Sequence, residues 1–186
     1  MEFVDRIFRH PAYNEYLHFN AEYEKDRQFC IHDQQHALDV ARIAYIIALE
    51  RKLDINKEII YLTALLHDIG RWKQYQSGLD HALEGAFLAE GILHDIGVPD
   101  QAAEVILAAI KGHRRKSISR NSTISSNNII NSNSENEYND QKKTDMGSAL
   151  GDILYESDKA CRFCINCGKL DECNWYTDGS RPVFKY

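Results

Sequence analysis

The sequence predicts an all-α protein, with one helical domain followed by a short cysteine-rich tail. Two observations favour this fold class. Apolar residues recur at helical spacing through long stretches, and only 3 prolines occur in 186 residues. No segment is a convincing β-strand. A chain of this length can bury a full core without the help of disulfides.

The first three predicted helices cover residues 2–26, 34–52 and 56–69. The first is rich in aromatic side chains. The third is expected to end before Gly70, which would serve as its C′ residue. In the second, six apolar residues follow helical spacing: Ala37, Val40, Ala41, Ala44, Ile47 and Ala48.

The last three predicted helices cover residues 80–96, 99–112 and 145–162. Gly97 ends the first of these, and Pro99 takes a first-turn position in the next, where its missing N–H is tolerated.

Between the last two helices, residues 117–140 are dominated by Ser and Asn and are predicted to form a flexible loop. A lid over a site is the functional alternative for this loop. The helical domain is thus expected to cover residues 1–163, and the tail residues 164–186.

Charge and apolar content exclude several classes of function. The net charge of −6 argues against a protein that coats nucleic acid. The longest apolar run, residues 43–49, is too short to span a membrane. No apolar segment of the secretory type follows Glu2 and Asp5, so a cytoplasmic location is expected. The oligomeric state stays open.

Six polar residues extend apolar stripes on five predicted helices. His67 follows Ile60 and Ala64, for example, and Asp158 follows Leu150 and Leu154. If these stripes face one core, their polar ends meet there. A buried group of imidazoles and carboxylates is what a divalent transition metal requires. Ordinary hydrogen-bonded core residues are the structural alternative. The six are His36, His67, Asp68, His81, His113 and Asp158.

Other histidines behave differently in the same test. His18 follows Asn14 and Glu15 on its helix and is expected at the surface. The sequence His94-Asp95-Ile96-Gly97 repeats the letters of residues 67–70, but its stripe runs through polar Glu90. His32 lies at or before a helix start, so it is kept only as a residue that supports a ligand or contacts substrate.

These ordered motifs resemble those of the HD-domain superfamily of metal-dependent phosphohydrolases. The matching segments are Gln35-His36-Ala37, His67-Asp68-Ile69-Gly70-Arg71 and Ser157-Asp158-Lys159. The resemblance covers roughly residues 30–162 and implies an HD-type helical bundle holding one or two divalent ions of Fe, Mn, Co, Ni or Mg. It also implies hydrolysis of a phosphate ester or anhydride bond in a small phosphorylated substrate such as a nucleotide.

Two further histidines resemble those of the dinuclear branch of this superfamily, which includes symmetrical dinucleoside polyphosphate hydrolases. Their segments read His81-Ala82-Leu83-Glu84-Gly85-Ala86 and Ala109-Ile110-Lys111-Gly112-His113. The chain departs from that branch at Arg71, where relatives often carry Lys, and in the long Ser/Asn loop after His113. Despite these departures, His81 and His113 predict a site with two metals.

On this interpretation Asp68 and Arg71 are the candidate catalytic residues. Asp68 would bridge the two metals, and the planar guanidinium of Arg71 would bind a phosphate. Arg114, Lys159 and His32 are further candidates for substrate contact. For Arg114 a solvated loop entrance is an equal alternative, and Lys159 is otherwise a charge neighbour of Asp158. The alternative function is a metal-binding sensor or ligand-binding module that does not hydrolyse its ligand.

The cysteines predict a second metal site. Four of them fall within thirteen residues, at Cys161, Cys164, Cys167 and Cys173. The spacing of Cys164 and Cys167 is that of a zinc knuckle, and the fourth ligand is either Cys161 or the distant Cys30. Structural zinc is the candidate cofactor, ahead of an iron–sulfur cluster. Reduced thiols packed as small apolar residues are the alternative, and a cysteine-cluster interaction protein on a helical scaffold is a third function.

Overall fold

The part of the chain that the structure describes is built from helices. The computed structural model describes residues 1–114 and 134–173, together with 176, 180, 182, 183 and 186; for residues 134–144 it describes only the backbone. Within these residues there are eight α-helices, two 3₁₀ helices and no strand, which confirms the all-α prediction. The α-helices are α1 (Glu2–Arg9), α2 (Pro11–Glu24), α3 (Gln34–Glu50), α4 (Lys57–Leu66), α5 (Arg71–Ser77), α6 (His81–Asp95), α7 (Asp100–Gly112) and α8 (Ser134–Ala160). The 3₁₀ helices are Cys164–Asn166 and Leu170–Glu172.

Side-chain caps begin three helices close to their predicted starts. Asp33 accepts a hydrogen bond from the backbone N–H of His36 at 2.8 Å, and Asp80 accepts one from Ala82 at 2.8 Å. Asn56 caps α4 in the same way. Each cap satisfies an N–H that has no partner within its own helix. Two of the caps therefore fix the first turns of α3 and α6, which carry His36 and His81.

The prediction of one helix over residues 2–26 is wrong, because the chain breaks at His10. α1 ends at Arg9 and α2 begins at Pro11, while the His10 backbone between them is extended with a ψ of 124°. A residue that precedes proline avoids the helical region, since the proline ring clashes with it. Pro11 then begins α2 without losing a hydrogen bond.

The predicted helix over residues 56–69 ends early, at Leu66, and a turn over residues 67–70 leads directly into α5. Sequence analysis missed α5 because this seven-residue helix buries no residue and so has no apolar stripe. The assignment of Gly70 as the C′ residue of this helix is also wrong, because Gly70 is the N-cap of α5. Its φ of −90° is accessible to any residue, so its small size is needed for another reason.

The last helix starts at Ser134, well before the predicted start at residue 145. The predicted loop is therefore wrong for residues 134–140, and its residues 117–133 lie outside the described residues. The added segment is polar throughout and gives no apolar periodicity. Its Glu, Gln and Lys residues are nevertheless good helix formers.

α4 is the central helix of the bundle. It contacts α1, α3, α6, α7 and α8, and its residues Leu62, Ala64, Leu65 and Leu66 are all buried. A helix that is apolar on every side belongs in the interior of a bundle. The turn that follows α4, with its His67-Asp68 doublet, therefore lies inside the protein. None of the described helices has the length and apolar content needed to cross a membrane.

Two glycines allow this turn to pack directly on α6. A Cβ added at Gly70 would lie 2.4 Å from the backbone nitrogen of Gly85, and one added at Gly85 would lie 3.2 Å from the carbonyl oxygen of His67. Real Cβ atoms essentially never approach backbone as closely as the first of these distances. The contact joins the segment that carries His67 and Asp68 to the helix that carries His81.

We expect Gly70→Ala to lower the free energy of unfolding by about 2 kcal/mol or more, because the new methyl group would meet rigid backbone. Gly91→Ala is the matched control: Gly91 lies on the exposed side of α6 with nothing within 4 Å of the added Cβ. That control should raise stability by about 0.5–1 kcal/mol, since alanine favours a helix over glycine. Urea denaturation measures both variants. Equal stability of the two would contradict the close packing.

Candidate metal centre

The six predicted side chains converge, and the Asp68 carboxylate lies among the four imidazoles. Asp68 Oδ2 lies 3.2 Å from His67 Nε2 and 3.8 Å from His36 Nε2. The other oxygen, Oδ1, lies 3.3 Å from His81 Nε2 and 4.0 Å from His113 Nε2. Each oxygen of one carboxylate therefore faces its own pair of histidines.

This arrangement divides the cluster into two neighbouring groups of ligand atoms. The first contains His36, His67 and Asp158, and the second Asp68, His81 and His113; within each group the ligand atoms all lie within 4.8 Å of one another. Asp158 completes the first group, with Oδ1 3.4 Å from His36 Nε2. Three nitrogen or oxygen atoms at this spacing are a donor set for a divalent cation such as Mn, Fe or Co.

The imidazole rings are oriented through their Nδ1 atoms. His67 Nδ1 lies 2.7 Å from the Ala64 carbonyl oxygen and His113 Nδ1 lies 2.6 Å from that of Ile110. A carbonyl oxygen only accepts, so Nδ1 carries the proton in both rings, and Nε2 is left as the lone-pair donor to a metal. His81 Nδ1 meets the Gln74 Oε1 atom at 2.6 Å, and His36 Nδ1 lies 3.4 Å from Cys161 Sγ.

Two buried nitrogens of this cluster make no hydrogen bond. His36 Nε2 and His67 Nε2 have no partner with hydrogen-bond geometry, although carboxylate oxygens lie 3.4 and 3.2 Å from them. A buried polar atom without a partner costs free energy and needs a physical explanation. Each nitrogen points toward a carboxylate oxygen of the cluster. A cation between the nitrogens and these oxygens would therefore give both nitrogens a partner.

The protonation states differ between the two halves of the cluster. Burial lowers the pKa of His81 to about 3 and that of His113 to about 4, so both rings are neutral at pH 7. Burial acts to raise the pKa of Asp68, but the neighbouring His67 and Arg71 outweigh it and hold this pKa well below its usual range. Neutral imidazoles and an ionised carboxylate are the forms that bind metal.

His36 differs from these two histidines. Burial acts to lower its pKa, but the neighbouring Asp158 carboxylate and Cys161 thiol outweigh burial and raise this pKa to about 10. A cation bound by His36 would therefore displace a proton.

The cluster opens into a cavity of about 440 Å³ with a cationic wall. Arg71 Nη1 lies 3.5 Å from Asp68 Oδ1 and 3.2 Å from His81 Nε2, so the guanidinium is at the edge of the cluster. Arg114 pairs with Asp80 at 3.1 Å, and Lys159 pairs with Asp158. The cations along the cavity are Arg27, Arg71, Arg114, Lys159 and Arg162.

Sequence analysis missed two buried residues that support the cluster. Asn20 donates to the carbonyl oxygen of Asp68 at 2.9 Å and accepts from the N–H of Trp72 at 2.8 Å. Glu24 accepts from the backbone and side chain of His32 at 2.7 and 2.6 Å, and from the Tyr75 hydroxyl at 2.5 Å. The stripe test would have found both, because they continue the row of Tyr13 and Leu17 on α2.

The remaining histidines divide as their stripes indicate. His94 and His18 are exposed. His32 is buried and forms a third group of ligand atoms with His36 and Asp68. Glu24 contacts Nδ1 of His32, so this ring is oriented through its Nδ1 atom, as the cluster histidines are, and its Nε2 is left available.

The five cysteines are free thiols, and none belongs to a three-ligand group in the described part of the chain. Cys161 faces the histidine cluster. Its thiol donates to the carbonyl oxygen of Asp158 at 3.3 Å and contacts His36 Nδ1. The cysteine zinc site therefore stays a prediction.

Comparison with known proteins gives one family and several relatives. The HD-domain family model matches residues 34–159, a range that contains all six converging side chains. A protein of Clostridium beijerinckii, described only as uncharacterized, is 38% identical over 175 residues, which cover 94% of this chain and 93% of the relative. A Bacillus subtilis protein with the name "Putative phosphohydrolase YueE" is 31% identical over 117 residues, or 58% of each chain. The crystal structure of a predicted HD superfamily hydrolase from an uncultured Thermotogales bacterium aligns with a TM-score of 0.49 at 26% identity, over 79% of this chain and 66% of that one.

We expect Asn20→Ala to lower the free energy of unfolding by about 2–4 kcal/mol, because the Asp68 carbonyl and the Trp72 N–H would both lose a buried partner. Asn14→Ala is the matched control on the same helix. Asn14 donates only to exposed carbonyls of residues 8 and 10, so its loss should cost less than about 1 kcal/mol. Chemical denaturation compares the two. A similar small cost for both would show that Asn20 does not hold the doublet.

Proposed function

Because this chain belongs to the HD-domain family, we propose that it is a metal-dependent phosphohydrolase. The proposed reaction is cleavage of a phosphate ester or anhydride bond in a small phosphorylated substrate, of which a nucleotide is one example. The observation that carries the proposal is the Asp68 carboxylate between two pairs of histidines, at the base of a cavity with five cations along its wall. The name of the Bacillus subtilis relative supports the same reaction class.

The proposed metal ligands are the six converging residues. His36, His67 and Asp158 would hold one ion, His81 and His113 a second, and Asp68 would bridge them through its two oxygens. When bound, divalent ions here would lower the pKa of water and neutralise charge on phosphoryl oxygens. The protein itself supplies imidazoles that are oriented by carbonyl, amide and thiol partners, and two of them, His81 and His113, are neutral at pH 7.

The cations of the cavity are proposed to bind and orient the phosphate. Arg71 is the candidate for the phosphoryl group nearest to the cluster, because its guanidinium lies within 3.5 Å of Asp68 and 3.2 Å of His81. Its orientation is fixed by the Tyr75 hydroxyl, which accepts from Nε at 3.2 Å. A planar guanidinium held in this way can donate two parallel hydrogen bonds to phosphate oxygens. Arg114 and Lys159 line the same cavity and would contact further phosphate oxygens; Lys159 also pairs with Asp158.

We expect His67→Ala and Asp68→Ala to lose divalent metal and phosphohydrolase activity together, because each removes a proposed ligand. Metal content of the purified proteins is measured directly, and turnover is measured with Mn²⁺, Fe²⁺ or Co²⁺ on nitrophenyl phosphates and nucleotides. Added metal should raise the melting temperature of the wild-type protein but not of these variants, since a ligand stabilises the state that binds it. Unchanged metal stoichiometry in either variant would reject the assignment. Metal binding without turnover on any substrate would favour the sensor function.

The number of metals can be tested with histidines of one half of the cluster. We expect the His/Asp cluster of the wild-type protein to hold two ions, counted apart from any zinc at the cysteines, and that of His81→Ala or His113→Ala to hold one, because the group of His36, His67 and Asp158 stays complete. His94→Ala, an exposed histidine outside the cluster, is the matched control and should keep both ions. Metal analysis after dialysis against metal-replete buffer decides this. A single ion in the His/Asp cluster of the wild-type protein would leave the phosphohydrolase proposal standing but reject the dinuclear site.

A further inference from the structure

Three cysteines from separate parts of the chain line one small cavity. Cys30 lies in the connection between α2 and α3, whereas Cys164 and Cys173 lie in the segment after α8. Together with Tyr176, Lys159 and Arg162 they enclose about 140 Å³. Cys30 is thus separated from the other two by more than 130 positions in sequence, yet it shares a cavity with them. Neither the phosphohydrolase proposal nor the HD-domain match, over residues 34–159, includes the three cysteines.

The backbone after α8 folds into two turns that present the cysteines at regular points. Cys164 begins the first 3₁₀ helix, and the Cys167 N–H donates to the Cys164 carbonyl oxygen at 3.1 Å. Cys173 follows the second 3₁₀ helix, and its N–H donates to the carbonyl oxygen of Leu170 at 3.1 Å. A Cys-x-x-Cys pair across one tight turn, with a further cysteine returned by the next turn, is the spacing typical of structural zinc sites.

The electrostatic surroundings show that these thiols are neighbours. Cys30 and Cys167 both interact electrostatically with the Cys164 thiol. Thiolates near one another repel each other unless a cation lies between them. Lys159 and Arg162 line the same cavity, so positive charge is present to offset the net negative charge of a metal bound by four thiolates.

The structure also separates the two candidates for the fourth position. The Cys161 thiol is engaged with the Asp158 carbonyl oxygen and with His36 Nδ1, on the side of the histidine cluster. It does not line the small cavity, whereas Cys30 does. Cys30 is therefore assigned to the fourth position. Cys167 lies outside the small cavity and is assigned on its Cys-x-x-Cys spacing with Cys164.

We propose that Cys30, Cys164, Cys167 and Cys173 together bind one structural zinc ion, separate from the His/Asp cluster. Each thiol that binds releases its proton to solvent, and no oxidant or reductant takes part. The ligand atoms are more widely spaced in the structure than in a tetrahedral zinc site, since no cysteine lies in a three-ligand group. Zinc binding therefore requires the sulfurs to move closer together, and a cysteine sulfur moves by rotation about the single Cα–Cβ bond.

The consequence of this site is a fixed wall for the larger cavity. Cys30 and Cys173 line the 440 Å³ cavity as well as the small one, and so do Lys159 and Arg162. A zinc ion between them would tie the α2–α3 connection to the segment after α8, and hold Arg162 where its guanidinium reaches Asp158 at 3.2 Å. The zinc site would then support the substrate cavity without contacting the substrate.

Cobalt substitution tests this site independently of the His/Asp cluster. Co²⁺ bound by thiolates has an intense sulfur-to-metal charge-transfer absorption, whereas Co²⁺ held by imidazole and carboxylate has none. We expect the reduced wild-type protein to show this absorption on titration with Co²⁺, and Zn²⁺ to displace it. Cys30→Ser and Cys167→Ser should each lose it or reduce it strongly, and Cys167 is exposed, so its replacement should not disturb the core.

Cys161→Ser is the matched control for the absorption, because Cys161 belongs to the same segment but faces the histidine cluster. It should retain the full charge-transfer band. Absence of the band in the wild-type protein would overturn the proposal, as would equal loss of the band in Cys161→Ser and Cys30→Ser. A disulfide among these cysteines, found by the mass of the protein isolated without reductant, would also overturn it. The phosphohydrolase proposal survives each of these results, because its ligands contain no sulfur.

Discussion

The structure depends on one buried charge, the carboxylate of Asp68 among four imidazoles. An ionised group inside a protein is costly unless opposite charge and hydrogen bonds compensate for its lost hydration. Here the compensation comes from His67 and Arg71, which hold its pKa well below the usual range. Asn20 holds the backbone of the same residue. The surrounding helices are therefore arranged around a charge that the apolar core alone could not accept.

The same local device places two of the histidines. His67 and His113 each follow the last residue of a buried helix, α4 and α7, and each donates from Nδ1 to the carbonyl oxygen three residues earlier. Carbonyls in the last turn of a helix have no partner within the helix, so the ring satisfies one of them while turning its other nitrogen outward. The end of an apolar helix is thus a natural position for a ligand that must be both buried and oriented.

Charge is distributed unevenly in this chain. The sequence carries a net charge of −6, yet five cations line one cavity. These cations lie beside the His/Asp cluster that is proposed to hold the metals. A phosphorylated ligand would therefore lie between metal ions on one side and cationic side chains on the other. The proposed cysteine site contributes to the same wall through Cys30 and Cys173. The residues proposed for metal binding, for phosphate binding and for the zinc site therefore border one cavity.

The sequence by itself determined which residues meet, because each of the six ends an apolar stripe and a stripe must face the core. The predicted starts of α3 and α6, at residues 34 and 80, lie within one residue of the observed starts, where Asp33 and Asp80 cap the helices. It could not determine α5, which buries nothing, or the polar start of α8, since neither has an apolar stripe to read. Periodicity reports on one helix at a time. Only tertiary packing decided that Gly70 lies against Gly85, that the two oxygens of Asp68 face different pairs of histidines, and that Cys30 shares the small cavity with Cys164 and Cys173. Each of these depends on the distance between segments far apart in sequence, which a pattern along the chain does not contain.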